Sequence, residues 1–328
     1  MKSQYWSLLA FVLIFSCQKK QAIVFPDYFP QTNRIYLDSV RRETIELGEK
    51  LFFDTRLSSN NKVSCATCHK PELAFTDGEK ISKGFEGRFS LHNSSTLMNV
   101  GFSPTFMFDM RSHSLELQPM LPIQDSNEMQ SSIFDIERKL SKDATYQAMA
   151  KKCYGTPLTI YAYNRALAAY MKSLISANSR FDDYLSKNDS SVFTEKELKG
   201  KQLFFGKGNC NQCHVSPLFT NHLHYNIGLE DSLTGMYGKF RTTHKSLDRG
   251  RFKTPTLRNI EITFPYFHDG RCASLEEALN IHLDPNHITY DYVPASLSNT
   301  EKVEIIQFLK TLTDKNLKKT PYLQSKSK

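Results

Sequence analysis

The stretch KVSCATCHKPELAF sets Cys65, Cys68 and His69 in the spacing C-x-x-C-H, and KGNCNQCHVSPLF repeats that spacing with Cys210, Cys213 and His214. In C-x-x-C-H the two thiols form thioethers to the vinyl groups of one haem, and the adjacent imidazole supplies an axial ligand to its iron. A single copy of so short a motif also arises by chance or in redox and metal sites. Two copies in an exported chain, each heading its own helical half, imply two covalently bound haem c groups. The motifs alone do not say whether the two irons do the same work.

The elements that must position these motifs read as helices. TPLTIYAYNRALAAYMKSLI offers Thr156 as an N-cap and Pro157 at the first helical position, with apolar residues at three- and four-residue steps. Near the carboxyl end, SNTEKVEIIQFLKTLTD offers Ser298 and Glu301 as a capping box, with Val303, Ile306, Leu309 and Leu312 as its buried face. No stretch alternates apolar and polar residues over several strands, so the expectation is an all-α chain of two small domains joined near residues 186–196.

The first twenty residues differ from the rest. In MKSQYWSLLAFVLIFSCQKK a short apolar run follows Lys2 and ends at Cys17. A membrane span needs about 20 apolar residues, so this run fits a signal h-region. Residues 1–16 read as a lipoprotein signal peptide and Cys17 as the acylated first residue of the mature chain, with an uncleaved anchor as the alternative. Either reading places the folded part outside the cytoplasm; the lipoprotein reading puts it in the periplasm, bound to the membrane only through the N-terminal lipid. Of seven Cys, this leaves Cys153 and Cys272 to pair in an oxidising compartment or to stay as buried thiols. The formal charge is +8, but no basic aromatic stripe accompanies it, and no nucleic-acid partner is expected.

Three longer segments carry a resemblance to a known family: LFFDTRLSSNNKVSCATCHKPELAFTDG, FMFDMRSHSLELQPMLPIQDSNEM and FKTPTLRNIEITFPYFHDGRCASLEEAL. Together they resemble the bacterial dihaem cytochrome c peroxidase and MauG superfamily over nearly all of the mature chain. The resemblance implies two cytochrome c-like domains, each with one covalently bound haem c. They span residues 38–190, with the peroxidatic haem, and 191–315, with the electron-transfer haem. A lipid-anchored segment, 17–37, precedes them and a basic tail, 316–328, follows.

The same resemblance implies a distal site beside His69 made of Gln118, Pro122 and Glu128. A carboxylate next to peroxide takes a proton from one oxygen and returns it to the leaving oxygen, which makes Glu128 the expected catalytic residue. In the peroxidases of the family, a His about sixteen residues beyond the proximal one occupies the remaining ligand position. That count falls on Phe85 here, so the first haem is expected to be open, with His92 as the competing ligand. For the second haem, held by His214, the family's opposite ligand falls on His282, with Tyr290 and His287 as substitutes in a shifted loop. No Met follows Met236, which excludes a Met ligand there.

The family's W-D-G-R segment reads Phe108, Asp109, Met110 and Arg111, so the Trp of its electron path is replaced by a ring much harder to oxidise. The resemblance further implies calcium, bound by the Asn93 side chain and the carbonyls of Thr263 and Pro265, and a hydrogen-bonding role for His268 near the second haem. The implied activity is reduction of hydrogen peroxide, with electrons from a small cytochrome c or cupredoxin and a homodimer as the usual assembly. A MauG-like oxidase of protein side chains and a non-enzymatic dihaem electron carrier are the alternatives.

Overall fold

The computed structural model describes residues 23, 25–31, 40–229 and 237–317. The expected signal peptide, the expected acylation site Cys17, nearly all of the expected anchored segment and most of the expected basic tail lie outside the described residues. Among the described residues, no helix is long and apolar enough to cross a membrane.

Each half is built on one helix pair that crosses at a glycine. In the first half α1 (Arg42–Phe52) is followed by the motif turn α2 (Cys65–Cys68), then α3 (Met120–Gln124), α4 (Ile133–Leu140), α5 (Ala144–Tyr154) and α6 (Ile160–Lys172). Helix α1 packs on α6 so closely that a Cβ on Gly48 would lie 1.9 Å from the carbonyl oxygen of Ala166. The second half comprises α7 (Arg180–Lys187), α8 (Glu195–Phe205), α9 (Phe240–Thr243), α10 (Leu275–His282) and α11 (Asn299–Lys310). There α8 packs on α11, and a Cβ on Gly200 would lie 1.9 Å from the carbonyl oxygen of Glu304. Both glycines open the pattern G-x-x-L-F-F, whose apolar residues enter the core just ahead of each C-x-x-C-H.

Capping boxes fix where the second-half helices begin. Ser179 with Asp182, Thr194 with Glu197, Ser274 with Glu277 and Ser298 with Glu301 exchange side-chain and backbone hydrogen bonds at the N-termini of α7, α8, α10 and α11. The buried apolar residues form two clusters. One gathers Leu47, Leu51, Phe52, Phe75, Tyr163 and Leu167, and the other Phe181, Phe204, Phe219, Ile305 and Phe308. Between Ile175 and Phe181 the chain passes from the first cluster to the second, because α7 turns its aromatic side chain into the second core.

A longer internal repeat accompanies the two helix pairs. TLMNV at 96–100 and FMFDMRSHSLE at 106–116 recur as TLRNI at 256–260 and YFHDGRCASLE at 266–276, at a constant offset of 160 residues. The backbone repeats as well. Asn99 and Asn259 both adopt left-handed φ values, and the bridge between Phe106 and Ser112 has its counterpart between Tyr266 and Cys272.

Several contacts tie the halves together. Asp109, fully buried, pairs with Arg111 at 2.9 Å and reaches Arg241 of the second half at 3.5 Å. The Lys253 amide donates to the Phe108 carbonyl at 3.0 Å, and the Asn93 amide to the His268 carbonyl at 2.8 Å. Within the second half Arg258 forms a buried two-pronged pair with Asp182 at 2.8 and 2.9 Å, and its guanidinium reaches the first cluster, 4.9 Å from the Phe29 ring centroid. Tyr28 donates to the same Asp182, so this pair also pins the 25–31 segment.

Some local readings change. The N-cap of α6 is Thr159, whose hydroxyl accepts from the Ala162 amide; Thr156 lies one turn too early. In α11 the buried residues are Ile305, Phe308 and Leu309, continuing to Leu312 beyond the helix, while Val303 is exposed, so its apolar face is rotated from the expected one. A two-residue antiparallel pair, β1 (His224–Tyr225) with β2 (Phe252–Lys253), is the sheet among the described residues. Cys153 and Cys272 are free, buried thiols in different clusters.

Candidate active site

The two motif turns present their histidines in the same way. The one-turn helix α2 puts Cys65 and Cys68 on one face, and the His69 amide donates to the Cys65 carbonyl at 2.9 Å; His214 repeats this bond to Cys210 at 2.9 Å. His69 Nδ1 lies 2.9 Å from the carbonyl oxygen of Phe75, and His214 Nδ1 lies 3.2 Å from that of Phe219. A carbonyl only accepts, so both Nδ1 atoms carry hydrogen and both Nε2 atoms keep the lone pair a metal needs. Burial lowers the pKa of both imidazoles, His214 to about 4, which preserves the neutral ligating form.

The carbonyls that aim these rings come from left-handed residues. Phe75 has φ 62° and Phe219 φ 53°, and both side chains are fully buried. Packing of the phenyl rings holds a backbone conformation that non-glycine residues rarely adopt. Neither Phe was expected to matter, although each stands in plain view in PELAF and SPLF.

Beside His69 lies a cavity of about 1670 Å³, including its part open to solvent. Both attachment thiols and His69 line it, so the residues present fit a haem. The structure brings Gln118, Pro122 and Glu128 into the wall of this same cavity. Burial raises the Glu128 carboxyl to about 7, the charge of Asp125 adds to the rise, and Arg111 opposes it. Gln118 Nε2 sits 3.4 Å from the Met107 sulfur.

Glu128 is held by the turn at Phe85–Gly87 and its flanking loop. The Phe85 amide donates to the carbonyls of Glu128 at 2.8 Å and Asn127 at 3.1 Å. Arg88 donates to the Ser126 carbonyl at 3.0 Å and the Gln130 side chain at 2.6 Å, and its guanidinium lies 5.1 Å from the Phe85 ring centroid. Thus the residue at the expected ligand position braces the carboxylate loop through its backbone, while its own ring is buried. His92 lines the cavity too, but it sits among aromatic neighbours, with ring centroids 5.9 Å from Phe108, 6.2 Å from Phe252 and 6.1 Å from His268. Burial drives its pKa down to about 3, with the charges of His268, Arg111 and Arg241 adding to the fall.

At the second motif, His282 ends α10 close enough to His214 for its charge to oppose protonation of that ring. His282 Nδ1 lies 3.2 Å from the Ala278 carbonyl, which again leaves Nε2 with the lone pair, and its ring stacks on Phe267 at 5.3 Å. Tyr290 is 98% exposed and His287 binds the Ile281 carbonyl at 3.0 Å through Nδ1. The tyrosine beside the second site is instead Tyr292, whose hydroxyl donates to the His282 carbonyl.

The internal repeat sets these two sites side by side. Pro122 follows Asp109 by thirteen residues, and His282 follows Asp269 by thirteen. One half therefore offers a side chain with no lone pair where the other offers an imidazole.

Proteins of known family resemble this chain over most of its length. The profile of the di-haem cytochrome c peroxidase family matches residues 42–190. The chain is 32% identical over 277 residues to the methylamine utilization protein MauG of Methylorubrum extorquens, covering 82% of this chain and 78% of that one. It is 33% identical over 272 residues to the cytochrome c551 peroxidase of Nitrosomonas europaea, covering 82% and 79%.

The chain belongs to the di-haem cytochrome c peroxidase and MauG superfamily.

Among solved structures, a MauG-like protein associated with microbial copper homeostasis superposes with a TM-score of 0.82 at 29% identity, covering 91% of this chain and 97% of that one. Membership of this superfamily of oxidoreductases implies two haem c groups, which the two motif turns are built to hold. Cys65, Cys68 and His69 would carry one, and Cys210, Cys213 and His214 the other.

Proposed function

We propose that this superfamily member reduces hydrogen peroxide to water at the His69 site, with electrons delivered through the His214 site by a small periplasmic cytochrome c or cupredoxin. The observation that carries this reading is the unlike furnishing of two equivalent positions of the repeat, Pro122 in the wall of a cavity with Glu128 and an imidazole, His282, whose charge is felt at His214. The haem at His69, when attached, supplies an open coordination position and the reducing equivalents. Glu128 removes a proton from one peroxide oxygen and delivers it to the other as the O–O bond breaks, so that two electrons and two protons convert one peroxide into two waters. Gln118 orients the peroxide or a water next to Glu128, and Pro122 keeps the distal side free of a protein ligand. His214 and His282 would hold the second haem, whose chemistry there would be electron storage.

Calcium at Asn93, Thr263 and Pro265 belongs to the same proposal. Its support is that the Asn93 amide bonds the second half beside that loop, through the His268 carbonyl at 2.8 Å, while its Nδ2 donates to the Glu79 carbonyl at 2.9 Å. Export as a lipoprotein through Cys17 and assembly as a homodimer complete it.

The similarity to MauG favours a second reading, oxidation of a protein side chain. Rapid mixing of the reduced protein with peroxide separates the readings. Fast multiple turnover with a reduced small cytochrome or cupredoxin supports the peroxidase, a long-lived oxidised state that such donors do not discharge supports the oxidase, and absence of a fast reaction leaves the electron carrier.

A further inference from the structure

The cavity beside His69 has one wall that belongs to the second half of the chain, and that wall is cationic. Lys253, the last residue of β2, lines it. Its backbone is fixed twice, by pairing with His224 across the ribbon and by the bond from its amide to the Phe108 carbonyl. Its Nζ crosses to the first half and donates to Ser103 Oγ at 3.2 Å and the Thr105 carbonyl at 3.0 Å. Both acceptors are neutral. Among the described residues no carboxylate pairs with this ammonium, and burial alone lowers its pKa to about 8.

His222 lines the same wall. Its Nε2 is buried, and among the described residues no hydrogen-bond partner reaches it. Burial, aided by the charge of Lys253, holds this imidazole near a pKa of about 4, so at neutral pH it is uncharged and able to donate one hydrogen bond. A buried ammonium without a counter-ion and a buried ring nitrogen without a partner are both costly arrangements. An anion with two acceptor oxygens would satisfy both.

Haem c brings such a group. Its vinyl edge is fixed to the thiols, here Cys65 and Cys68 in the first half, and its two propionates lie on the other edge. We propose that Lys253 and His222 form a carboxylate clamp for a propionate of the haem attached at Cys65 and Cys68. The clamp fastens the second half of the chain onto the cofactor of the first. It depends on haem attachment and not on which substrate is oxidised, so it stands or falls separately from the peroxidase proposal.

The test uses the dihaem protein with Lys253→Met, Lys253→Arg and His222→Phe, each with two covalent haems per chain verified by haemochrome absorbance. Resonance Raman spectra read the propionate bending bands, and potentiometry reads each haem separately. Lys253→Met is expected to shift the propionate band of the His69 haem and lower its midpoint potential, since the lost charge no longer favours ferrous iron, while Lys253→Arg keeps both near wild type. His222→Phe is expected to shift the same band without so large a change in potential. Bands and potentials unmoved in both Lys253→Met and His222→Phe, or changes confined to the His214 haem, overturn the clamp. If Lys253→Met fails to fold, an unmoved band in His222→Phe overturns it alone.

Discussion

Pro122 and His282 stand at the same position of a repeat, thirteen residues beyond Asp109 and Asp269 respectively. The chain uses one framework twice and places unlike side chains at this position, a ring without a lone pair in one half and an imidazole in the other. In the second half α10 runs continuously from Leu275 to His282 and ends on an imidazole whose charge is felt at His214. In the first half a helix forms only from Met120, and the carboxylate of Glu128 reaches the cavity from the loop beyond it.

The brace on that loop makes Gly84 sensitive. A Cβ there would meet the Asn127 carbonyl oxygen at 2.3 Å and the Glu128 carbonyl oxygen at 2.5 Å. Both obstacles are backbone, so Gly84→Ala must displace the loop carrying Glu128. Haem content is expected to hold while kcat/KM for peroxide falls on the order of 10²-fold, the lower end of what a general acid–base group contributes. Steady-state kinetics with the haem count as control checks it.

Glu128 sets a pH dependence. Its carboxyl is raised from 4.5 to about 7, so the proton-accepting form is scarce below that pH and predominates above it. The rate of reaction with peroxide should rise with pH through about 7 and then level. Glu128→Gln should flatten that limb and slow the reaction by roughly 10²–10⁴-fold. Stopped-flow mixing across pH 5–9 (about two units either side) reads both effects, and a wild-type limb retained in Glu128→Gln assigns it to another group.

The second site gives a paired comparison. Replacing His282 with Ala should convert the His214 haem from low spin and leave the His69 haem unchanged. Tyr290→Phe should be silent, because that ring points into solvent. Electronic absorption and electron paramagnetic resonance of the ferric proteins distinguish these outcomes.

Much of this was legible in the sequence, for reasons that differ by residue. The attachment cysteines and proximal histidines are side-chain chemistry at fixed spacing, and the structure gives both motifs the same turn. Glu128, Gln118 and Pro122 were reached through family resemblance, and the structure gathers them in one cavity. The aim of the proximal rings was not legible, because carbonyls of Phe75 and Phe219 perform it and every residue type carries a carbonyl. The repeat was missed since few of its positions are identical, although T-L-x-N and D-x-R recur at one offset. The face of α11 was misread because steps of three and four from Val303 and from Ile305 fit the same pattern; only packing against α8 chooses Ile305 and Phe308.

Arg258 and Asp182 provide a stability test away from the chemistry. Their side chains are 1% and 4% exposed, and breaking a buried pair by removing one partner costs roughly 3–5 kcal/mol. Arg258→Met leaves Asp182 with Tyr28 and Ser179 but no cation. Denaturant unfolding should show a loss of about that size, and a loss below about 1 kcal/mol would mean that the pair is not closed in solution.

The account rests most on the two irons being unlike, and electron paramagnetic resonance of the diferric protein as isolated measures this directly. One high-spin signal, belonging to the His69 haem, and one low-spin signal, belonging to the His214 haem with His282 opposite, is the predicted spectrum. Two low-spin signals would contradict the open site and direct attention to His92 as the ligand that closes it.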